Sequence, residues 1–266
     1  HDSPDPWANF DVPEITGGSL KAADGVTDLY YRLVKPTNFD PTKKYPVIVY
    51  VYGGPHSQMV SDTWLGQIRM WEMYMAQKGY VVYVQDNRGT QNRGLEYEQA
   101  IHRECGVHEM EDQMEGIKML KALPWVDSDR IGVHGWSYGG FMTISLMTTY
   151  PETFKVGVAG GPVIDWKWYE VMYGERYMDT METNPEGFEK TSLINKAKNL
   201  KGKLLICQGA VDNTVVWEHS LSFVQECIKN NIQLDYFPYP MAEHNVTGEH
   251  RVHLMDKVTM YFDEYL

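Results

Sequence analysis

Two apolar runs constrain this chain more than anything else in it. Tyr45–Tyr52 (YPVIVYVY) and Tyr80–Gln85 (YVVYVQ) are almost unbroken series of β-branched and aromatic residues. A strand with one wet face alternates polar and apolar positions; a strand with none reads as a continuous apolar run. These two segments therefore require a sheet covered on both faces. Helices packed on either side of a mostly parallel sheet supply that cover. The rest of the chain agrees with this α/β reading. Asp28–Lys35, Arg130–Trp136, Lys155–Ala159, Lys203–Gln208 and Gln233–Tyr239 read as further strands. Trp64–Lys78 (stopped by Gly79), Val107–Leu123, Phe141–Thr149, Trp217–Asn230 and Glu249–Tyr265 read as the helices between them. Alternation of this kind implies right-handed crossovers. Residues 1–26, rich in Pro, Asp and Gly, read as an arm and a turn. Residues 161–200 break the rhythm with aromatic and polar residues and read as an excursion at the edge of a site. The expected division is 1–42 for the arm and first strands and 43–266 for the main α/β unit, one domain overall.

Composition narrows the function classes. A chain of 266 residues buries roughly three quarters of its unfolded surface and needs no covalent staples. A net charge of -12 repels phosphate, which argues against nucleic acid as a partner. Three cysteines without ligand-like spacing argue against a zinc site or a disulfide framework, although a single disulfide stays open. No apolar run approaches the ~18 residues of a membrane span. The first residue is His rather than Met, so a processed chain or a piece of a longer one is expected.

The chemistry is carried by Gly135-Trp-Ser137-Tyr-Gly139. The bare G-x-S-x-G pattern turns up by chance in about one chain in ten of this size. Its context is specific: an apolar strand precedes it and a helix of small residues follows. There the serine occupies a strained strand-to-helix turn, and glycines on both sides let backbones pass closely. The positive end of the following helix and the N–H of Tyr138 favour an oxyanion. Ser137 is the candidate nucleophile; the alternative is a packing turn with an inert hydroxyl.

A serine hydroxyl needs a base, and the base needs an orienting acid. On the α/β-hydrolase fold these follow on loops after late strands, in the order Ser, acid, His. Asp212 lies just past strand Lys203–Gln208 and His244 just past strand Gln233–Tyr239. Both positions fall at the C-terminal strand edge, where open α/β sheets bind ligands. A helix cap would explain Asp212 equally simply, and a surface loop would explain His244. His219, His250 and His253 lie in helical stretches, His134 within a strand, and His102 and His108 beside a helix junction. Glu243, beside His244, is expected to point elsewhere. Asn245-Val-Thr matches a glycosylation acceptor, but a glycan there would block the base.

With those residues in place, the chain resembles the prolyl oligopeptidase family, on the branch of dipeptidyl peptidase IV. Gly135-Trp-Ser-Tyr-Gly-Gly140, Val51-Tyr-Gly-Gly-Pro55, Asp86-Asn-Arg-Gly89, Glu111-Asp-Gln113 and Trp166–Met178 carry the likeness, which runs from about Lys43 to the C-terminus. The resemblance implies an α/β-hydrolase fold and a serine peptidase that releases N-terminal dipeptides, usually after Pro or Ala, with no metal or cofactor. It implies Tyr52 as an oxyanion donor beside the Tyr138 N–H. It also implies a small apolar pocket of Tyr169, Tyr173, Trp166, Val163 and Val215, although core filling would account for Trp166 as well. In relatives the amine anchor sits on an N-terminal β-propeller, absent from this chain, where too few strands precede Lys43 to build one blade. A homodimer and a periplasmic or secreted location follow from the same analogy. One position departs: Thr214, after Asn213, stands where the family pattern has an Asn that helps hold a substrate carbonyl. The rival readings are an acylaminoacyl peptidase or esterase on the same fold, and a non-catalytic binding domain.

Overall fold

The computed structural model describes residues 3–266; His1 and Asp2, the start of the expected arm, lie outside the described residues. Among the described residues eight strands form one sheet: β1 (Ile15–Lys21), β2 (Asp28–Val34), β3 (Tyr45–Tyr50), β4 (Val81–Gln85), β5 (Val126–Trp136), β6 (Val156–Gly160), β7 (Lys203–Gly209) and β8 (Asp235–Tyr239). Their order is β1-β2-β4-β3-β5-β6-β7-β8. β1, β2 and β4 pair antiparallel, and every pair from β4 to β8 is parallel. The helices are α1 (Met70–Gln77), α2 (Leu95–Glu98), α3 (Val107–Lys121), α4 (Tyr138–Thr149), α5 (Val171–Met178), α6 (Pro185–Thr191), α7 (Glu218–Lys229) and α8 (Gly248–Tyr265). This is the mostly parallel α/β sheet expected from the strand runs, in the α/β-hydrolase arrangement that the resemblance implies. No helix among the described residues is long and apolar enough to cross a membrane.

The continuous apolar runs follow from the two cores. Val47, Val49 and Val51 pack into one cluster with residues of α3, α4 and α7, while Ile48 and Tyr50 pack into the other with residues of α1 and α8. Val81 and Tyr83 divide from Val82 and Val84 in the same way. Successive side chains of a strand point to opposite faces, so a strand between two cores is apolar at every position. Helix α4 is buried from Tyr138 through Thr148, which is why it carries small or apolar residues on every side. Cys105, Cys207 and Cys227 are free and buried.

Three local readings need correction. The arm contains a strand: β1 pairs along its whole length with β2. Its Gly17-Gly18 pair lowers strand propensity and hid it. The Tyr31 side chain explains the glycine, since a Cβ on Gly18 would lie 2.5 Å from the Tyr31 hydroxyl oxygen. The helix expected over Trp64–Lys78 begins only at Met70, because Leu65, Gly66 and Gln67 all take positive φ in a tight turn. Arg32 holds that turn, donating to the carbonyls of Met59 and Gly66 and pairing with buried Glu72 at 2.8 Å. Finally, β5 starts at Val126 rather than Arg130, with a register shift against β3 between Tyr45 and Val47.

Candidate active site

The parallel strands all end at one edge, and the candidate residues sit just beyond those ends. Ser137 alone separates β5 from α4, with φ 61° and ψ -117°. A non-glycine residue in this region is strained and persists only where its surroundings over-determine it. Here they do. A Cβ on Gly135 would lie 2.3 Å from the Val51 carbonyl oxygen, and one on Gly139 would lie 2.2 Å from the same atom. The end of β3 therefore crosses the elbow in van der Waals contact that only glycine permits. The Ser137 N–H donates to the Gly160 carbonyl at 2.8 Å, and the Phe141 N–H donates to the Ser137 carbonyl at 3.0 Å. Tyr138 opens the helix, so its N–H has no intrahelical carbonyl to meet.

Asp212 lies three residues past β7 and His244 five past β8, and the two strand ends pair at Gly209 and Tyr239. The Asp212 carboxylate has no exposed surface. One oxygen accepts the N–H groups of Thr214 and Val215, each at 2.9 Å. The other meets His244 Nδ1 at 2.7 Å. An ionised carboxylate only accepts, so the proton sits on Nδ1 and Nε2 is left as an acceptor. Nε2 lies 2.9 Å from the Ser137 hydroxyl oxygen. The indole N–H of Trp136 donates to the His244 carbonyl at 2.9 Å, which ties the base loop to the strand that carries the nucleophile. Serine, aspartate and histidine, with 107 positions between the first and the last, thus meet in line.

The other candidate histidines lie away from the nucleophile. His134 Nδ1 lies 2.8 Å from the Val158 carbonyl, and His219 Nδ1 accepts the Ile164 N–H at 2.9 Å. Burial pushes both down to about 4, so both rings are neutral at physiological pH. His253 meets the Tyr239 hydroxyl at 2.9 Å, His108 meets Glu111 at 2.9 Å and His102 lies 3.4 Å from Asp179. Glu243, Asn245 and His250 are exposed.

Tyr52 follows β3 by two residues, partly buried, its ring 6.1 Å from that of Tyr138. Burial raises its hydroxyl pKa above the ordinary tyrosine value, and neighbouring Tyr177 adds to the shift. The next carbonyl along the chain, that of Gly53, accepts from Asn87 Nδ2 at 2.9 Å. The excursion after β6 brings an aromatic cluster alongside. The Trp166 ring lies 5.4 Å from Tyr138, 5.6 Å from Tyr169 and 6.0 Å from Tyr173. Tyr169 and Tyr173 are partly exposed and 5.2 Å apart, whereas Trp166 and Val163 are buried. Val215 has no exposed surface; its N–H is given to Asp212 and its carbonyl accepts from Gln208 Nε2 at 2.6 Å. Thr214 and Asn213 are both exposed.

Sequence reasoning missed several members of this surface. Tyr177 extends the row, 4.6 Å from Tyr173. The signal was available, because 169, 173 and 177 share the four-residue spacing of one helix face. The Trp136–His244 contact spans 108 positions and left no local trace. Nor did Glu109, which holds the Tyr138 hydroxyl from α3.

A strained serine between strand and helix, with a histidine and a buried aspartate in line on later loops of a mostly parallel sheet, defines an α/β-hydrolase of the Ser-His-Asp type. The chain belongs to the prolyl oligopeptidase family, whose model matches residues 67–266. It is 35% identical to human dipeptidyl peptidase 8 over 263 residues, which covers 96% of this chain and 29% of that protein. Among solved structures, a candidate dipeptidyl aminopeptidase IV from Bacteroides ovatus matches with a TM-score of 0.98 and 57% identity, over 99% of this chain and 37% of that one. Porphyromonas gingivalis dipeptidyl peptidase 4 matches with a TM-score of 0.91 and 36% identity, over 96% of this chain and 36% of that one. The chain therefore spans about a third of the length of these relatives.

Proposed function

We propose that this chain carries the catalytic site of a serine peptidase that releases dipeptides from N-termini, cutting after Pro or Ala. The observation that carries the reading is the in-line contact of Ser137, His244 and Asp212 at 2.9 and 2.7 Å. His244 Nε2 takes the Ser137 proton as the hydroxyl oxygen attacks the scissile carbonyl. Asp212 keeps Nδ1 protonated and stabilises the imidazolium. The Tyr138 N–H and the Tyr52 hydroxyl are the donors for the oxyanion; the hydroxyl is protonated at neutral pH, and burial pushes its pKa further up. His244 then protonates the leaving amine, and water repeats the sequence on the acyl-enzyme.

Selectivity is assigned to the aromatic surface. Tyr169 and Tyr173 offer ring faces and edges of the size of a proline ring, backed by buried Trp166 and Val163. Relatives named as dipeptidyl peptidases support the dipeptide register. Thr214 implies a weaker or different hold on the carbonyl before proline than an Asn at that position would give.

The test uses the full-length protein. Gly-Pro and Ala-Pro chromogenic amides are compared with N-acyl-alanine amides and short acyl esters, beside labelling of Ser137 by a fluorophosphonate. Labelling with preferred turnover of the free-amine Pro and Ala amides is the expected result. Turnover of blocked substrates alone would move the reading to an acylaminoacyl peptidase or esterase. Absence of both labelling and turnover would leave a binding domain.

A further inference from the structure

Resting on the acyl-transfer reading of Ser137, we propose that Glu109 is a positioning residue of the oxyanion site: it anchors the far end of the Tyr138 side chain and so fixes the direction of the Tyr138 N–H beside the nucleophile. Glu109 lies in the first turn of α3 with no exposed surface, and its Oε1 accepts the Tyr138 hydroxyl at 2.5 Å. Its second oxygen is buried without a partner. A carboxyl in such a place is costly, and an apolar residue would fill the same space without that cost. No cation pairs with it among the described residues; Arg88 is engaged in a bidentate pair with Asp112 of the same helix.

Tyr138 is clamped at every other point. A Cβ on Gly54 would lie 2.7 Å from its Cγ, and its ring lies 5.4 Å from each of Phe141 and Trp166. Its backbone begins α4 directly after strained Ser137. The hydroxyl at the far end of its ring is held by Glu109. A tilt of this side chain is passed to the amide of the same residue, and oxyanion donors act only within tenths of an ångström of their place.

Burial pushes the Glu109 carboxyl up to about 8, so at neutral pH it is a neutral acid sharing a hydrogen bond with a phenol. The titratable groups facing the pair are the Cys105 thiol, the Tyr173 hydroxyl and the Asp112 carboxylate with its Arg88 partner. Burial holds the thiol and both tyrosines protonated, so Glu109 is the group that ionises first. Its charge would then oppose the oxyanion.

The experiment compares Glu109→Gln, Glu109→Met, Tyr138→Phe and the Met/Phe double variant in the full-length protein. Two rates are read per titrated active site: phosphonylation of Ser137 by a fluorophosphonate, which uses the oxyanion site without a dipeptide, and kcat and KM for Ala-Pro chromogenic amide. Glu109→Met should slow phosphonylation and kcat about tenfold with KM changed less than about threefold. Tyr138→Phe should match it, and the double variant should be no slower than either single one. Glu109→Gln, which keeps the acceptor, should stay within about twofold at pH 7 and lack the fall in rate expected of wild type above about pH 8. Wild-type rates in Glu109→Met, losses in Gln equal to those in Met, or multiplied losses in the double variant would each overturn the proposal. So would a lower melting temperature with an unchanged rate per site. A wild type that is phosphonylated but cleaves no dipeptide amide would sink the substrate reading alone, because the Glu109 comparison is decided by the phosphonate.

Discussion

The elbow and the excursion stand at the same rim and are built by opposite means. Around Ser137 the contacts are backbone against backbone: Val51, Gly135, Gly139 and Gly160 meet through carbonyls, amides and missing Cβ atoms. The excursion leans on side chains, beside backbone bonds such as that from the Arg103 N–H to the Tyr177 carbonyl at 2.6 Å. Arg103 pairs with Asp179 at 2.8 Å and donates to the Thr183 carbonyl, Asn184 donates to the carbonyls of Arg103 and Met178, and Ser192 donates to Asp165 at 2.6 Å. Backbone packing leaves one solution and cannot be retuned residue by residue. A surface held by side-chain bonds can exchange its aromatic residues while its path stays the same. Chemistry belongs with the first kind of construction and selectivity with the second.

That contrast can be tested in descending order of effect. Ser137→Ala should lower turnover by roughly 10⁶-fold for amide and ester alike, measured against active-site-titrated wild type. Retention of measurable wild-type turnover would remove the elbow from the chemistry. Tyr52→Phe should cost on the order of 10²–10³ in kcat, again whatever the leaving group. A loss below about threefold would take Tyr52 out of the oxyanion site. Tyr173→Ala crosses to the excursion, and there the pattern should split. Preference for Pro amides over a short acyl ester should fall by roughly tenfold or more while ester turnover holds. An equal loss on both substrates would erase the distinction between the two regions. Arg103→Ala should have the smallest effect. Its ion pair is partly exposed, with side chains 43% and 30% accessible, so about 1 kcal/mol or less of stability is expected, read by thermal melting. A collapse of activity in this variant would show that the excursion depends on one clamp rather than on its combined contacts.

Much of the site could be read from the chain because its rules are local. An apolar strand, Gly-x-Ser-x-Gly and a small-residue helix occupy consecutive positions, and Asp212 and His244 each follow a strand readable by itself. What escaped reading was the partner of each local feature. Gly17-Gly18 looks like a breaker until Tyr31 fills the space beside it. Leu65 looks helical until buried Arg32 takes the neighbouring carbonyls. Glu109 looks like an ordinary acidic residue at the start of a helix until Tyr138 arrives from another element.

The amino-acid order alone determined that this chain forms a doubly covered parallel sheet and that serine, aspartate and histidine fall at strand ends of that sheet. Those facts follow from periodicity and from turn chemistry, which act over a few residues. Only the tertiary structure decided which side chains hold the reacting groups in place: Trp136 on the base loop, Asn87 on the turn after Tyr52, Glu109 on Tyr138. These pairs lie 108, 34 and 29 positions apart, and a hydrogen bond across such distances depends on how whole strands and helices pack, which no window of neighbouring residues contains.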